Sequence, residues 1–280
     1  QEMSRGLGDV YKRQALNRRT LLKTIASIGG VTLLSACGNF DFDLTEDLND
    51  SSGTNDNSNN VSDSCSIVPS ETKGPYPLDG SGGSTNALAS LYRSDILGDD
   101  ISSESGVPLL LSINLQDVNN SCAAIENAAV YVWHCDQSGA YSGYSSSQNG
   151  YHYGKTFCRG IALSNSNGQV SFTSLFPGWY HGRITHIHFA VYLNNDLNST
   201  PYVSQIAFPQ EVTQAVYETA PYSNKGQNTS VASFAEDNIF SDGTDLQLAN
   251  VNGSVDTGLI ASLSVGTVSY THLRAHETSP

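Results

Sequence analysis

The sequence predicts an all-β domain, an antiparallel β-sandwich with one short helix and long loops. Three observations carry this. Short runs rich in β-branched and aromatic residues recur between residues 108 and 265, separated by clusters of Asn, Ser and Gly. Only Gln210–Thr219 reads as helix. The stretch 65–267 is long enough to bury one full core, and no internal repeat divides it.

The strands follow in order as Pro108–Val118, Ala129–Cys135, Thr156–Leu163, Gln169–Thr173, Thr185–Tyr192 and Tyr202–Phe208, with Gln247–Val251 and Leu259–Val265 closing a sheet. Ser166-Asn167-Gly168 reads as a hairpin turn, the Asn-Gly pair supplying positive φ angles. Evenly spaced short strands of this kind argue for a sandwich. Cys65, Cys122, Cys135 and Cys158 are an even number in an oxidising compartment, so two disulfides are expected among three possible pairings.

Both ends are set apart from the fold. Ser4–Gln14 and Val268–Thr278 back-translate into DNA strands that are reverse complements of each other, so residues 1–14 and 268–280 read as a translated sequencing-library adapter. His272 and His276, spaced as if for a helix-borne metal, are excluded with them. The natural sequence is expected to start near Ala15 and to be cut near Thr267. Residues 15–37 read as an export signal: a twin-arginine region, Asn17–Lys23, precedes an apolar stretch, Thr24–Leu34, too short to span a bilayer. Leu34-Ser35-Ala36-Cys37 resembles a bacterial lipobox, with Cys37 as the lipidated mature N-terminus. The expected location is the bacterial cell envelope, on a lipid anchor, or alternatively secreted. Residues 38–64, rich in Asn, Asp and Ser, bury too little apolar surface to offset chain entropy and read as a disordered tether.

The charge excludes one class of partner. Of the 13 lysines and arginines, 6 lie in residues 1–37 and 1 in 268–280, whereas 24 of the 27 acidic residues lie between. The body is therefore near −18, more acidic than the whole chain's −14. Such a charge repels phosphate backbones, so nucleic acid is not an expected partner.

Chemistry concentrates in Phe176–Val191, FPGWYHGRITHIHFAV. Alternate side chains of a strand share a face, so His186 and His188 offer two imidazoles to one point while Ile187 faces away. A Pro-Gly turn just before carries Tyr180, and Arg183 follows it. In Val130–Gly143, Tyr141 follows a Ser-Gly turn at a strand end, where a side chain can be aimed into the mouth of the sandwich. Phenolate is a hard anionic ligand, and two tyrosines with two histidines favour a ferric ion over zinc.

The chain resembles the intradiol ring-cleavage dioxygenases of the catechol and protocatechuate type. The resemblance covers most of Cys65–Val265 and rests on ETKGPYPLDG (71–80), WHCDQSGAYSG (133–143), TFCRGIALSNSNGQVSF (156–172), the His-Ile-His stretch and SQIAFP (204–209). It implies an immunoglobulin- or prealbumin-like sandwich and a mononuclear non-haem Fe(III) held by Tyr141, Tyr180, His186 and His188. Arg183 corresponds to the catalytic arginine, Gln205 to the active-site glutamine, and Tyr76 to the aromatic bordering the substrate pocket, where Arg183 also meets substrate. The implied partners are a small aromatic diol and O2. The implied reaction opens the ring to a cis,cis-muconate-type diacid, with Tyr180 displaced by the diol and taking up a proton.

The chain departs from the family pattern in two places. Pro77 follows Tyr76 where a second tyrosine is common, and a tether stands where cytoplasmic members carry a helical dimerisation region. The chain therefore resembles a smaller, exported branch. Which catechol is used and the oligomeric state stay open. Tyr144, Tyr151, His152 and Tyr153, in a loop expected at the pocket rim, are not taken as ligands. Trp133 is expected in the core, and Trp179 stays open between core and substrate contact. The competing readings are a non-catalytic binding or adhesion lipoprotein on the same sandwich, and a zinc or copper site on the same histidines.

Overall fold

The computed structural model describes residues 65–80, 88–98 and 100–268, with the backbone alone at Ser103. The expected adapter runs, export signal, lipidated Cys37 and tether lie outside the described residues, apart from Val268.

Two sheets face each other. The first contains β1 (Pro108–Asp117), β2 (Ala123–Ala124), β7 (Gln169–Leu175), β10 (Asn250–Ser254) and β11 (Gly258–Thr267), in the order β10-β11-β1-β2 with β7 also on β1. The second is β6-β3-β8-β9, from β6 (Arg159–Leu163), β3 (Ala129–Trp133), β8 (His186–Tyr192) and β9 (Tyr202–Ala207). A ribbon of β4 (Ser145–Ser146) and β5 (Gly150–Tyr151) stands apart. The helices are α1 (Gln210–Tyr217) and a four-residue α2 (Ala220–Ser223), beside short 3-10 turns.

The alternation of β1 explains the packing. Leu109, Leu111, Ile113 and Leu115 are buried while the residues between them are half-buried, the period of two that turns one face inward. They meet Val170 and Phe172 of β7 and Leu259, Ala261 and Leu263 of β11, and across the gap Val130, Val132, Ile187, Phe189 and Ile206. At about 25 cal/mol per Å² of apolar surface removed from water, this interior is what holds the sandwich together.

The sandwich is as expected, with three differences of detail. One pair runs parallel: β11 lies along β1 from Leu109↔Leu259 to Asp117↔Thr267, because the β10–β11 hairpin returns the chain in the direction of β1. The turn at Ser166–Gly168 forms, with Gly168 at φ +73° and Asn165 Oδ1 accepting from Asn167 N and Gln169 N. It is not a hairpin between paired strands, since β6 and β7 part into different sheets, and only Gly168 takes the positive φ. Cys158, at φ +54°, delays the start of β6 to Arg159.

The cysteine expectation is half corrected. Cys65 and Cys122 are joined, with Cα atoms 5.7 Å apart, but Cys135 and Cys158 are free and buried. These two belong to separate apolar clusters, Cys135 with Trp133 and Tyr141, Cys158 with Leu97, Phe157 and Leu175, so no second bridge forms. The bridge closes a span of 57 residues. By chain entropy its loss destabilises by up to about 4 kcal/mol. The expected result for Cys65→Ser/Cys122→Ser is an earlier urea midpoint, with Cys135 and Cys158 still protected from thiol reagents until the domain unfolds.

β8 is buried along its whole length because its outer face is also covered. That face carries Tyr131, Trp133, Ala190 and Tyr192 with the two histidines, and residues 71–78 are strapped across it. Tyr131 Oη donates to Pro77 O (2.7 Å), Gln205 Nε2 to Thr72 O (3.0 Å), Arg159 Nη1 to Tyr76 O (2.7 Å), and Leu78 N to Tyr144 Oη (2.9 Å).

Candidate metal centre

His186 and His188 open β8, where the strand register sets Trp133 of β3 and Gln205 of β9 on either side of His188. The imidazole rings lie 4.7 Å apart at 84°, and their Nε2 atoms 3.1 Å apart. His186 Nδ1 is 2.6 Å from Ile184 O. A carbonyl only accepts, so Nδ1 carries the proton and Nε2 presents a lone pair. Trp133 stacks flat on His188, centroids 4.9 Å apart at 3°, and fixes its plane. Gly74, at φ +64°, passes over the same ring, and a Cβ there would stand 3.0 Å from His188 Cε1.

The tyrosines come from two turns pressed together. Asp136 Oδ1 accepts from Ser138 N, Ser138 Oγ and Ala140 N, shaping the turn that delivers Tyr141. Gly178 N donates to Asp136 O, and a Cβ on Gly178 would lie 2.5 Å from Gln137 O. The contact excludes any side chain and brings the Tyr141 and Tyr180 rings to 5.6 Å. Asn149 brackets Tyr141, accepting from its N–H (2.6 Å) and donating to its C=O (2.8 Å). Tyr180 is held less tightly: it is half-buried, and exposed His181 and Gly182 follow it.

The polar atoms converge. Tyr180 Oη is 3.3 Å from His186 Nε2, and Arg183 Nη1 is 3.5 Å from it, at the limit of a hydrogen bond. Among the described residues Tyr141 Oη is buried with no hydrogen-bond partner, as is His188 Nδ1 on the ring edge away from Nε2. An orphaned buried polar atom costs about 1–3 kcal/mol, so the Tyr141 phenol, in the same buried cluster as the two facing Nε2 atoms, fits a cation that these atoms can bind. Among the described residues no group of three or more His, Cys, Asp or Glu is placed to hold a metal, so a centre here has to draw on tyrosine. Two phenol oxygens with two imidazoles are a set suited to a hard trivalent ion.

Electrostatics agree with that fit. Burial, then the Arg183 charge, lowers the His186 pKa to about 3, and burial, then His186, lowers that of His188 well below its usual value. Both are neutral at pH 7, lone pairs available. Burial raises Tyr141 well above the ordinary phenol value and Tyr180 to about 12, the latter opposed by Arg183. Only a strong local cation would deprotonate them at neutral pH. Arg159 lies beneath, wholly buried, and among the described residues no carboxylate is in salt-bridge range of it. It donates to Ser142 Oγ, Ser142 O and Tyr131 Oη, with its guanidinium carbon 5.8 Å from the Tyr141 ring centre.

Buried neutral histidines also set an acid limit. His134, hydrogen-bonded to Cys135 O and Ser174 Oγ, has its pKa lowered to about 4, chiefly by burial. In the unfolded chain it takes up a proton near pH 6.5, while in the folded state it stays neutral. Stability is therefore full above pH 6.5 and falls between 6.5 and about 4, by about 1.4 kcal/mol per pH unit for each histidine that stays neutral. Denaturant titration of metal-free protein at pH 7 and pH 5 is expected to show that fall, and equal midpoints would contradict it.

The structure thus brings together Tyr76, Tyr141, Tyr180, Arg183, His186, His188 and Gln205. Tyr76 stacks on Tyr141 (4.7 Å) and meets Tyr180 edge-on (6.5 Å). Arg183 Nη2 donates to Gln205 Oε1 (2.7 Å). The loop tyrosines divide: Tyr144 packs on Tyr76, while Tyr151 and Tyr153 are exposed. Trp179 is structural, donating to Gly226 O beneath Lys225. Sequence reasoning missed Asp136, Asn149, Arg159 and Asp237 as supports. Of these, Asp136 and Arg159 sit inside motifs already quoted, and Asn149 and Asp237 carry no local signal. A cavity of about 350 Å³ beside α1, lined by Ile184, Thr185, Tyr217 and Asn228 among others, contains none of these seven side chains.

The sequence matches no protein-family model and no curated protein. Solved structures do match. An intradiol ring-cleavage dioxygenase from Tetranychus urticae is 29% identical with a TM-score of 0.59, the match covering 73% of this chain and 95% of that one, and a second dioxygenase structure gives the same values. The dioxygenase domain of a dioxygenase carbohydrate-binding fusion from Streptomyces sp. SirexAA-E is 19% identical with a TM-score of 0.49, covering 72% of this chain and 99% of that one. The fold is that of the intradiol ring-cleavage dioxygenases.

Proposed function

We propose that the chain is a mononuclear non-haem Fe(III) intradiol dioxygenase that opens a catechol-type diol with O2 to a cis,cis-muconate-type diacid. The observation that carries the reading is the buried cluster of Tyr141, Tyr180, His186 and His188, with the two Nε2 atoms 3.1 Å apart, Tyr180 Oη 3.3 Å from His186 Nε2, and Tyr141 Oη without a hydrogen-bond partner among the described residues. The dioxygenase structures at a TM-score of 0.59 support it.

His186 and His188 would hold the metal through Nε2, and Tyr141 and Tyr180 through Oη. When bound, the ferric ion would supply Lewis acidity and a template for both diol oxygens. The residues do the rest. Tyr141, pinned by Asn149, stays in place. Tyr180, on the looser turn, takes up a substrate proton at Oη. Arg183 aims Nη1 into the reacting space and stabilises negative charge developing on the ring, at a point shielded from water where such charge is strongly felt. Tyr76 forms an aromatic wall for the ring.

The remaining expectations enter as part of the same proposal: export by a twin-arginine signal, a lipid anchor on Cys37, and a simple or substituted catechol met outside the cytoplasm. The deciding experiment is metal analysis of protein matured with iron, with oxygen uptake on catechol, protocatechuate and hydroxyquinol. Iron near one equivalent with consumption of at least one diol is expected. Absence of iron, or zinc at one equivalent, would sink the reading in favour of a binding protein or a different metal.

A further inference from the structure

We propose that Asp237 is a positioning residue of this site, fixing the direction in which Arg183 presents its free edge; this rests on the reading of the site given above. Asp237 follows the 3-10 turn Phe234–Glu236 on the loop before β10, 54 residues beyond Arg183, and no part of it is exposed. Its carboxylate is fully committed. Oδ2 accepts from Arg183 Nε (2.9 Å) and from Ile184 N (2.8 Å), while Oδ1 accepts from Ile239 N (2.9 Å) and Phe240 N (3.2 Å). With both oxygens held by backbone donors, the group has no freedom to rotate.

The geometry of a guanidinium gives this consequence for the site. The group is planar, its donors in a fixed fork, so gripping two edges determines the third. Asp237 grips Nε, Gln205 Oε1 grips Nη2 at 2.7 Å, and Nη1 is left pointing at His186 Nε2, 3.5 Å away. The Phe240 ring lies 5.8 Å from the guanidinium carbon and limits tilt. Asp237 also supplies the counter-charge without which Arg183, itself buried, would be strongly disfavoured. Burial by itself would raise the Asp237 pKa, but the bonds from Arg183 and Ile184 N hold it below the usual carboxylate value, so the ion pair is intact at neutral pH.

The test uses the full domain and two readouts. In metal-free wild type, the Arg183 Nε–H resonance is expected to be protected from solvent exchange, and in Asp237→Asn to exchange at least about tenfold faster, as a local opening of its partner requires. In iron-loaded protein, Asp237→Asn is expected to lower kcat at least about tenfold with KM for catechol changed far less, the mark of an interaction made in the transition state. In an Arg183→Ala background the same change is expected to add nothing. Full kcat in Asp237→Asn, losses that simply add in the double variant, or rapid exchange of Arg183 Nε–H in wild type would each overturn the proposal. The wild-type exchange measurement decides even if Asp237→Asn does not fold. If wild type consumes no diol, the dioxygenase reading fails, while the exchange readout still reports on Asp237.

Discussion

His186→Ala and His188→Ala are each expected to leave a folded domain that retains less than about a tenth of the wild-type iron, since even partners of metal ligands cost 10–100-fold in affinity when lost. Both side chains come from the buried start of β8, and neither has a neighbouring His, Cys, Asp or Glu placed to replace it among the described residues. The two variants differ in what they leave behind. Without His188, the flat Trp133 ring faces a void; without His186, Tyr180 Oη and Arg183 Nη1 lose the nitrogen they approach. Iron content by elemental analysis, alongside circular dichroism, checks this. His272→Ala and His276→Ala are expected to change neither measurement. If the tail histidines mattered and His186 did not, the site assignment would be wrong.

The tyrosines are expected to behave unequally. Tyr180→Phe should keep iron and some of the reddish phenolate-to-iron colour but lose turnover by about 10²–10⁴-fold, the usual size of a general-base contribution. Tyr141→Phe should weaken colour and iron retention even without substrate, because Asn149 and the Asp136 turn hold Tyr141 as the fixed donor, whereas Tyr180 precedes two exposed residues. Visible absorption and single-turnover kinetics on both variants check it. Equal losses of iron in the two variants would contradict the asymmetry.

The shared face of His186 and His188 was legible in the sequence because strand alternation is local: His-Ile-His in a strand puts two imidazoles on one face wherever the strand lies. The strands of the sandwich were legible for the same reason. Asp237 was not, because nothing near it in sequence marks a residue whose partner stands 54 positions earlier. The parallel pairing of β1 and β11 was hidden too, since composition carries no strand direction. The free cysteines show the limit of counting: an even number says nothing of which face each thiol takes, and Cys135 and Cys158 take different ones.

The strap at residues 71–78 bears on when this centre comes into being. Its fastenings join positions far apart along the chain: Gln205 to Thr72 spans 133 residues, Arg159 to Tyr76 spans 83, and Tyr131 to Pro77 spans 54. Contacts of such separation carry a large loop-closure cost, which slows folding. The cluster of Tyr141, Tyr180, His186 and His188 is accordingly expected to be complete only in the finished domain. A ligand that binds only the finished form adds its binding energy to global stability, so iron loading should raise the melting temperature of the entire sandwich.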